Sequence, residues 1–310
     1  MTTLAPTCVR RAWLTLGAST LALDNPAGGW FCSSLDLGPP AIREVVYNLP
    51  DTDGTADMTQ YFAGRVVSAN ITAVRGAGAS IDTVLASFAQ YMVPSARPVL
   101  HYVLDRAGSP ERTLTLRGAT TGYAGPLVGP YQRDIQLQWY AADPIARDPA
   151  TKSAYAWSGS TIGSGRSYPL VFPRVYPSGG GAQVNATIQT PGDVAVKPKV
   201  SIYGPITTPQ ATIALQVAGT QYALYFVAGF AIAAGHRVDI DTANHSAFMD
   251  GDPTQSVLNQ IDWRYFNIAG YVPGWPVVPP VPESATLSLS GSSTSSSTQA
   301  IATWNDGFLT

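Results

Sequence analysis

Between Asp134 and Pro149 the chain reads DIQLQWYAADPIARDP, a segment that first builds a strand and then stops it. Ile135, Leu137, Trp139 and Ala141 alternate with Asp134, Gln136 and Gln138. Successive strand side chains point to opposite faces, so this alternation predicts a half-buried β-strand with one wet face. The strand runs into Asp143-Pro144 and Asp148-Pro149. Proline has no N–H to give a sheet ladder, so neither step continues a sheet interior. A sheet therefore ends near the middle of the chain, and a domain boundary belongs there.

A chain of 310 residues can bury two cores. Only 12% of its residues are charged against 45% hydrophobic, and it holds 29 glycines and 25 prolines. With many β-branched and aromatic residues beside them, these turn formers indicate an all-β chain rather than a disordered one. So few charges leave a weakly polar surface, which suits burial against other subunits. A formal net charge of −2 argues against a basic nucleic-acid-binding face, and Arg10-Arg11 is the densest basic pair. Cys8 and Cys32 are too few for a disulfide scaffold; they could pair in an oxidising setting, but two free thiols are the preferred reading. WLTLGASTLALD after the paired arginines is too broken for a secretory signal and reads as two strands. The most apolar run, Tyr222 to Ala234, is interrupted by Gly229 and is too short to span a bilayer, so no membrane insertion is expected.

Strands are predicted around Gly17, over residues 41–48 and over 63–76, with a turn cluster from Pro50 through Asp53-Gly54. One helix follows. Ser80 is a good N-cap, Ile81, Val84, Leu85, Phe88 and Met92 recur at helical spacing, and Pro94 ends the run. A helix packed on its own sheet is preferred to one that binds a partner. Val99–Asp105 and Arg112–Arg117 form a hairpin, so the first half is mainly sheet with one covering helix. Beyond Pro149 short strands alternate with dense turns, among them Gly219-Thr220 and Thr242-Ala243-Asn244, as in a β-sandwich or jelly roll. Pro273 to Pro282 should be extended, and Ser290 to Thr298, all Ser, Thr and Gly, reads as a flexible loop tip. Leu287 and Leu289 before it could pair as strands with Ile301 and Trp304 after it.

Catalytic chemistry is poorly provided for. His101, His236 and His245 stand in unrelated contexts, and no H-E-x-x-H, C-x-x-C or G-x-S-x-G occurs. Asp51-Thr52-Asp53-Gly54 and Asp250-Gly251-Asp252 resemble pieces of calcium loops but lack the further carboxylates, so they read as turns. Gly179–Gly181 is followed by neither Lys-Ser/Thr nor a helix start. No enzyme activity, cofactor or metal is expected.

Several spaced blocks together resemble the siphophage distal tail proteins. They are LDLGPPAIREVVYNLPDTDGTADMTQYFAGRVV (35–67), RPVLHYVLDRAGSPERTLTLRG (97–118), QLQWYAADP (136–144), SYPLVFPRVYP (167–177), VKPKVSIYGPITTP (196–209), VDIDTANHSAFMDG (238–251) and the terminal ATWNDGFLT. The resemblance implies a mainly β fold: an N-terminal β-sandwich-like, ring-forming domain with one covering helix (1–149) and a C-terminal galectin-like β-sandwich (150–310). The Pro- and Ser-rich segment 273–298 is an extended loop in that scheme, one the family pattern does not explain. It also implies a hexameric ring at the distal end of a phage tail, joining the tail tube and tape-measure protein to the tail-tip hub and letting DNA through. A near-neutral chain suits a channel that must not hold phosphates. Arg43, Asp53, Gly54 and Arg65, within the first block, are the expected self-association residues. The alternative is a carbohydrate-binding module facing the host envelope. Trp263 and Trp275, and after them Trp304, are its candidate contacts, although core packing is the more ordinary role for such rings.

Overall fold

The structure is a computed structural model, which describes residues 9–43, 46–48, 55–57, 61–74, 80–105, 108–118, 123–127, 132–158, 184–262, 275–295 and 297–309. The chain is mainly β and forms two compact units, Met1–Pro149 with Phe308–Thr310, and Ala150–Gly307.

Unit 1 starts with β1 (Val9–Leu16), β2 (Ser19–Ala22) and β3 (Trp30–Asp36). The short strands β4 (Ile42–Arg43), β5 (Val46–Asn48), β6 (Thr55–Asp57) and β7 (Tyr61–Phe62) precede the long β8 (Arg65–Val74). Helix α1 (Ile81–Met92) comes next, followed by β9 (Val99–Leu104), β10 (Glu111–Thr115) and β11 (Arg117–Gly118). Then come β12 (Tyr123–Leu127), β13 (Gln132–Ala141) and β14 (Ala146–Arg147). One sheet has the order β2-β1-β9-β10-β14-β25, where β25 is Gly307–Phe308; the other is β11-β13-β8-β3, with β12 also on β13.

The alternation that predicted β13 is realised in its ladder with β8. Val67 faces Trp139, Ala69 faces Leu137 and Ile71 faces Ile135, and all six are buried. Leu14, Leu100, Tyr102 and Leu114 supply the first sheet's share of the same core. The helix also forms as predicted: Ser80 accepts from the Thr83 N–H at 3.1 Å, and Val84 and Phe88 are buried. Tyr91 joins them, and its carbonyl accepts from the Trp139 indole N–H at 3.3 Å, tying helix to sheet. Cys32 is a half-buried free thiol on β3, whose pKa burial raises; Cys8 lies outside the described residues.

Unit 2 is a two-sheet antiparallel sandwich. Its strands begin with β15 (Lys152–Trp157), β16 (Ala186–Gln189), β17 (Lys199–Tyr203), β18 (Ile206–Leu215) and β19 (Gln221–Tyr225). They continue with β20 (Ala231–Ile232), β21 (Arg237–Asp241), β22 (Ser246–Met249), β23 (Ser284–Ser292) and β24 (Gln299–Trp304). The sheets are β15-β24-β17-β21-β22 and β16-β23-β18-β19, with β20 on β18. Val200, Ile202, Val238 and Ala302 of one meet Ile188, Ile213, Leu224 and Leu287 of the other in a single core. The predicted β18–β19 hairpin closes at Ala214 opposite Gln221, and Gly219 takes the φ of +66° that its turn requires.

The ending departs from the sequence reading in two ways. Residues 284–292 lie within the segment read as an extended loop, where only Leu287 and Leu289 were allowed a strand, yet all of them form β23, because Ala285, Leu287 and Leu289 alternate with Ser and Thr and are fully buried. Nor do the strands flanking the Ser-rich turn pair with each other. Leu287 and Leu289 lie opposite Ile213 and Ala211, whereas Ile301 lies opposite Tyr155 and Ser201 in the other sheet. The last residues also leave unit 2: Phe308 is buried in the unit 1 core and β25 extends beyond β14. Removing that ring should leave a cavity, so Phe308→Ala is expected to cost unit 1 about 3 kcal/mol in chemical denaturation. The protection of β10 and β14 against hydrogen exchange should fall with it, while that of β18 and β23 holds.

Candidate functional site

The three histidines serve local structure. His101 Nδ1 lies 2.7 Å from Glu111 Oε1 and its Nε2 lies 3.0 Å from Thr15 Oγ1, with Trp13 stacked at 5.2 Å. His236 Nδ1 lies 2.7 Å from Asp250 Oδ2, and His245 stacks on Trp275 at 5.3 Å. Among the described residues no group of three or more His, Cys, Asp or Glu side chains could hold a metal ion, and no helix is long and apolar enough to cross a membrane.

The residues expected to mediate self-association fall in different settings. Asp53 and Gly54 lie outside the described residues. Arg65 is only 2% exposed, so it belongs to the interior of unit 1 rather than to its surface. Its Nη1 donates to the Leu309 carbonyl at 3.0 Å. Burial lowers its pKa, and the nearby Tyr102 and Asp143 work against that shift. Arg112 is buried too, with its guanidinium 4.1 Å above the Phe308 ring. Both arginines therefore grip the returning chain end from the inside.

Arg43 alone of the four is both described and exposed. It lies opposite Tyr61 on a narrow arm. The Ala63 N–H donates to the Ala41 carbonyl at 2.7 Å, Ile42 pairs with Phe62, and Val46 and Asn48 pair with Asp57 and Thr55. These rungs make two short antiparallel pairs, β4-β7 and β5-β6, between β3 and β8 in the chain. A lone two-stranded ribbon is marginal in water unless an apolar face is covered. In the β4-β7 pair the apolar side chains are open, Ile42 being 58% exposed and Phe62 46%, and Val66, near the start of β8, is 50% exposed. Sequence reading missed this apolar pair because it weighed charges and turns. The signal was there: AIREVVYN and TQYFA are strand-like on both sides of a strong turn.

Of the tryptophans, Trp263 lies outside the described residues. Trp275 is half-buried, packs against the unit 2 core and gives a ring face to His245. Trp304 is a core residue at 7% exposure. The acidic turns of unit 2 are self-contained. Asp250 is held below the ordinary carboxylate value of 3.8 by His236 and the Arg237 N–H. Burial pushes Asp241 up, but Lys199 and Asn244 together hold it below 3.8. A carboxylate whose folded pKa is depressed adds stability above its unfolded value and loses it as the pH falls through the folded one. Protection factors in β21 and β22 are therefore expected to drop on acidification below about pH 4. The drop should be shallower in Asp241→Asn, and an equal one in that variant would refute the linkage.

No protein-family model matches the chain, and no curated protein does. Among solved structures, the Dit protein of phage SPP1, described as a paradigm of the hub adsorption apparatus in phages infecting Gram-positive bacteria, shares the fold. It superposes with a TM-score of 0.55 at 13% identity, over 96% of this chain and 99% of that one. Chains of the phage P2 baseplate in its activated conformation align more loosely. With calcium the TM-score is 0.36 at 11% identity, over 92% of this chain and 99% of that one. With strontium it is 0.35 at 11% identity, over 89% and 97%.

Proposed function

We propose that the protein is a structural component of a long non-contractile phage tail, built into a ring at the distal end of the virion. The observation that carries this reading is the shared fold with the SPP1 Dit protein across both units, 96% of this chain and 99% of that one. A sandwich alone would be common to many unrelated proteins. In this reading six copies assemble through unit 1, and unit 2, read as galectin-like, faces outward. The ring joins the tail tube and tape-measure protein to the tail-tip hub, and DNA passes through its centre. A formal net charge of −2 suits a channel that must not retain phosphates. The role is structural rather than enzymatic.

The arm formed by β4 and β7 is the element that most needs a partner, because Ile42 and Phe62 share one exposed rung. Replacing both by aspartate is expected to abolish self-association in sedimentation. Melting should stay within about 3 °C of the parent, since neither side chain supports the core. Association that persists would exclude the arm as the contact. Where the protein sits is tested separately. Gold-conjugated antibody against this chain should label virions only at the end of the tail away from the capsid; label along the tube or on the capsid would contradict the reading.

A further inference from the structure

The outward face of the sheet β15-β24-β17-β21-β22 carries two aligned rows of side chains that the tail role does not use. Register places Trp157, Gln299, Tyr203 and Arg237 in one row, on four adjacent strands. The next row is Tyr155, Ile301, Ser201 and Asp239. Tyr155 is 47% exposed and Trp157 38%, far more than the inward-facing Ala154 and Ala156 between them. Lys152, on the inward face of the same strand, pairs with the buried Asp306.

The polar groups on this face are fixed in place by one another. Ser201 Oγ donates to Asp239 Oδ1 at 2.5 Å, Arg237 Nε donates to Asp239 Oδ2 at 2.9 Å, and Arg237 Nη1 donates to the Tyr203 hydroxyl at 3.2 Å. At the rim the Tyr155 hydroxyl accepts from Ser153 Oγ at 3.2 Å. Every charge on these rows is matched in the plane of the sheet: Arg237 by Asp239, and beyond them Lys199 by Asp241 at 3.0 Å and His236 by Asp250.

Such a surface is selective by chemistry. A single-stranded nucleic acid would stack on the rings, but it needs unpaired basic groups along its phosphates. A charged peptide meets the same objection, since the cations and carboxylates already satisfy each other. What the face does offer is ring faces for C–H surfaces, beside pre-positioned donors and acceptors whose ordering cost is already met. A sugar presents just these two surfaces, its hydroxyls being donors and acceptors at once. Strands lie about 4.8 Å apart, so Trp157 on β15 and Tyr203 on β17, whose ring lies under the Arg237 guanidinium, stand roughly 10 Å from each other, room for a sugar that stacks on Trp157 and reaches the polar groups beyond it.

We propose that this sheet face, with Tyr155 and Trp157 as stacking rings and Ser201, Tyr203, Arg237 and Asp239 as hydrogen-bonding groups, binds a neutral saccharide. The site lies wholly within unit 2 and does not rest on the tail-tip reading. It is also separate from Trp275, whose ring is engaged with His245.

The test is an array of neutral di- to hexasaccharides printed beside sialylated and sulfated ones, probed with the full-length protein. Neutral glycans should bind and be competed by the same free oligosaccharide. Trp157→Ala and Asp239→Asn should each weaken binding about tenfold or more at unchanged melting temperature, whereas Trp275→Ala leaves it intact. If Trp157→Ala melts early, Tyr155→Ala takes its place as the ring deletion. The proposal is overturned if no neutral glycan binds, if only acidic glycans bind, or if binding survives both deletions. Loss on Trp275→Ala alone overturns it as well and moves the site.

Discussion

Unit 1 depends on a piece of chain that reaches it last. Phe308 lies in its core beneath the Arg112 guanidinium, and the Leu309 carbonyl takes a hydrogen bond from the buried Arg65. Arg65 and Leu309 are 244 positions apart, so this contact forms only after the chain has run through the second unit and returned. Contacts of such range make folding slow, because loop closure comes before its reward. They also remove a hazard. Without β25 the two-residue β14 would be the outer strand of its sheet, and exposed edges invite wrong pairing.

Much of this fold was legible because alternation is a direct consequence of the pleat. β8, β9, β13 and the first part of β23 bury every second side chain, and the strand that ends at Ala141 could be read from that alternation alone. The helix was legible for the corresponding reason at a period of 3.6. The closing strand was not, since Gly307-Phe308 is too short to carry any period. The Ser-rich ending misled in the opposite way: composition signalled a loop, while Ala285, Leu287 and Leu289 kept a buried rhythm. That the strands on either side of its turn separate into different sheets is a decision of tertiary packing, invisible locally.

The residues that the sequence singled out for self-association divide by burial: Arg43 is exposed and Arg65 is not. Arg65 drew attention by its charge, yet it shares a face with Val67, Ala69 and Ile71, and that face is the core. A guanidinium placed there acts as an internal clasp. The exposed features of the same stretch are apolar, Ile42 and Phe62 on a ribbon with little of its own to stabilise it. The aromatic and polar rows of unit 2 could not be seen either, because they are assembled from β15, β17, β21 and β24, which lie far apart in the chain. Register, and not spacing, brings them together.

The two units thus carry different kinds of surface: an uncovered apolar ribbon on the first, and on the second a flat face whose charges are already paired. An uncovered ribbon calls for a permanent neighbour, and a face of paired charges suits exchange with solvent-borne ligands. Electron microscopy of the purified protein, alone and with its tail partners, viewed along the particle axis, separates the possibilities most directly. Closed six-fold rings around an open centre, each built from copies of the 32.7 kDa chain, are the expected result. Single, non-assembling particles even in the presence of those partners would contradict a role as a ring at the tail tip.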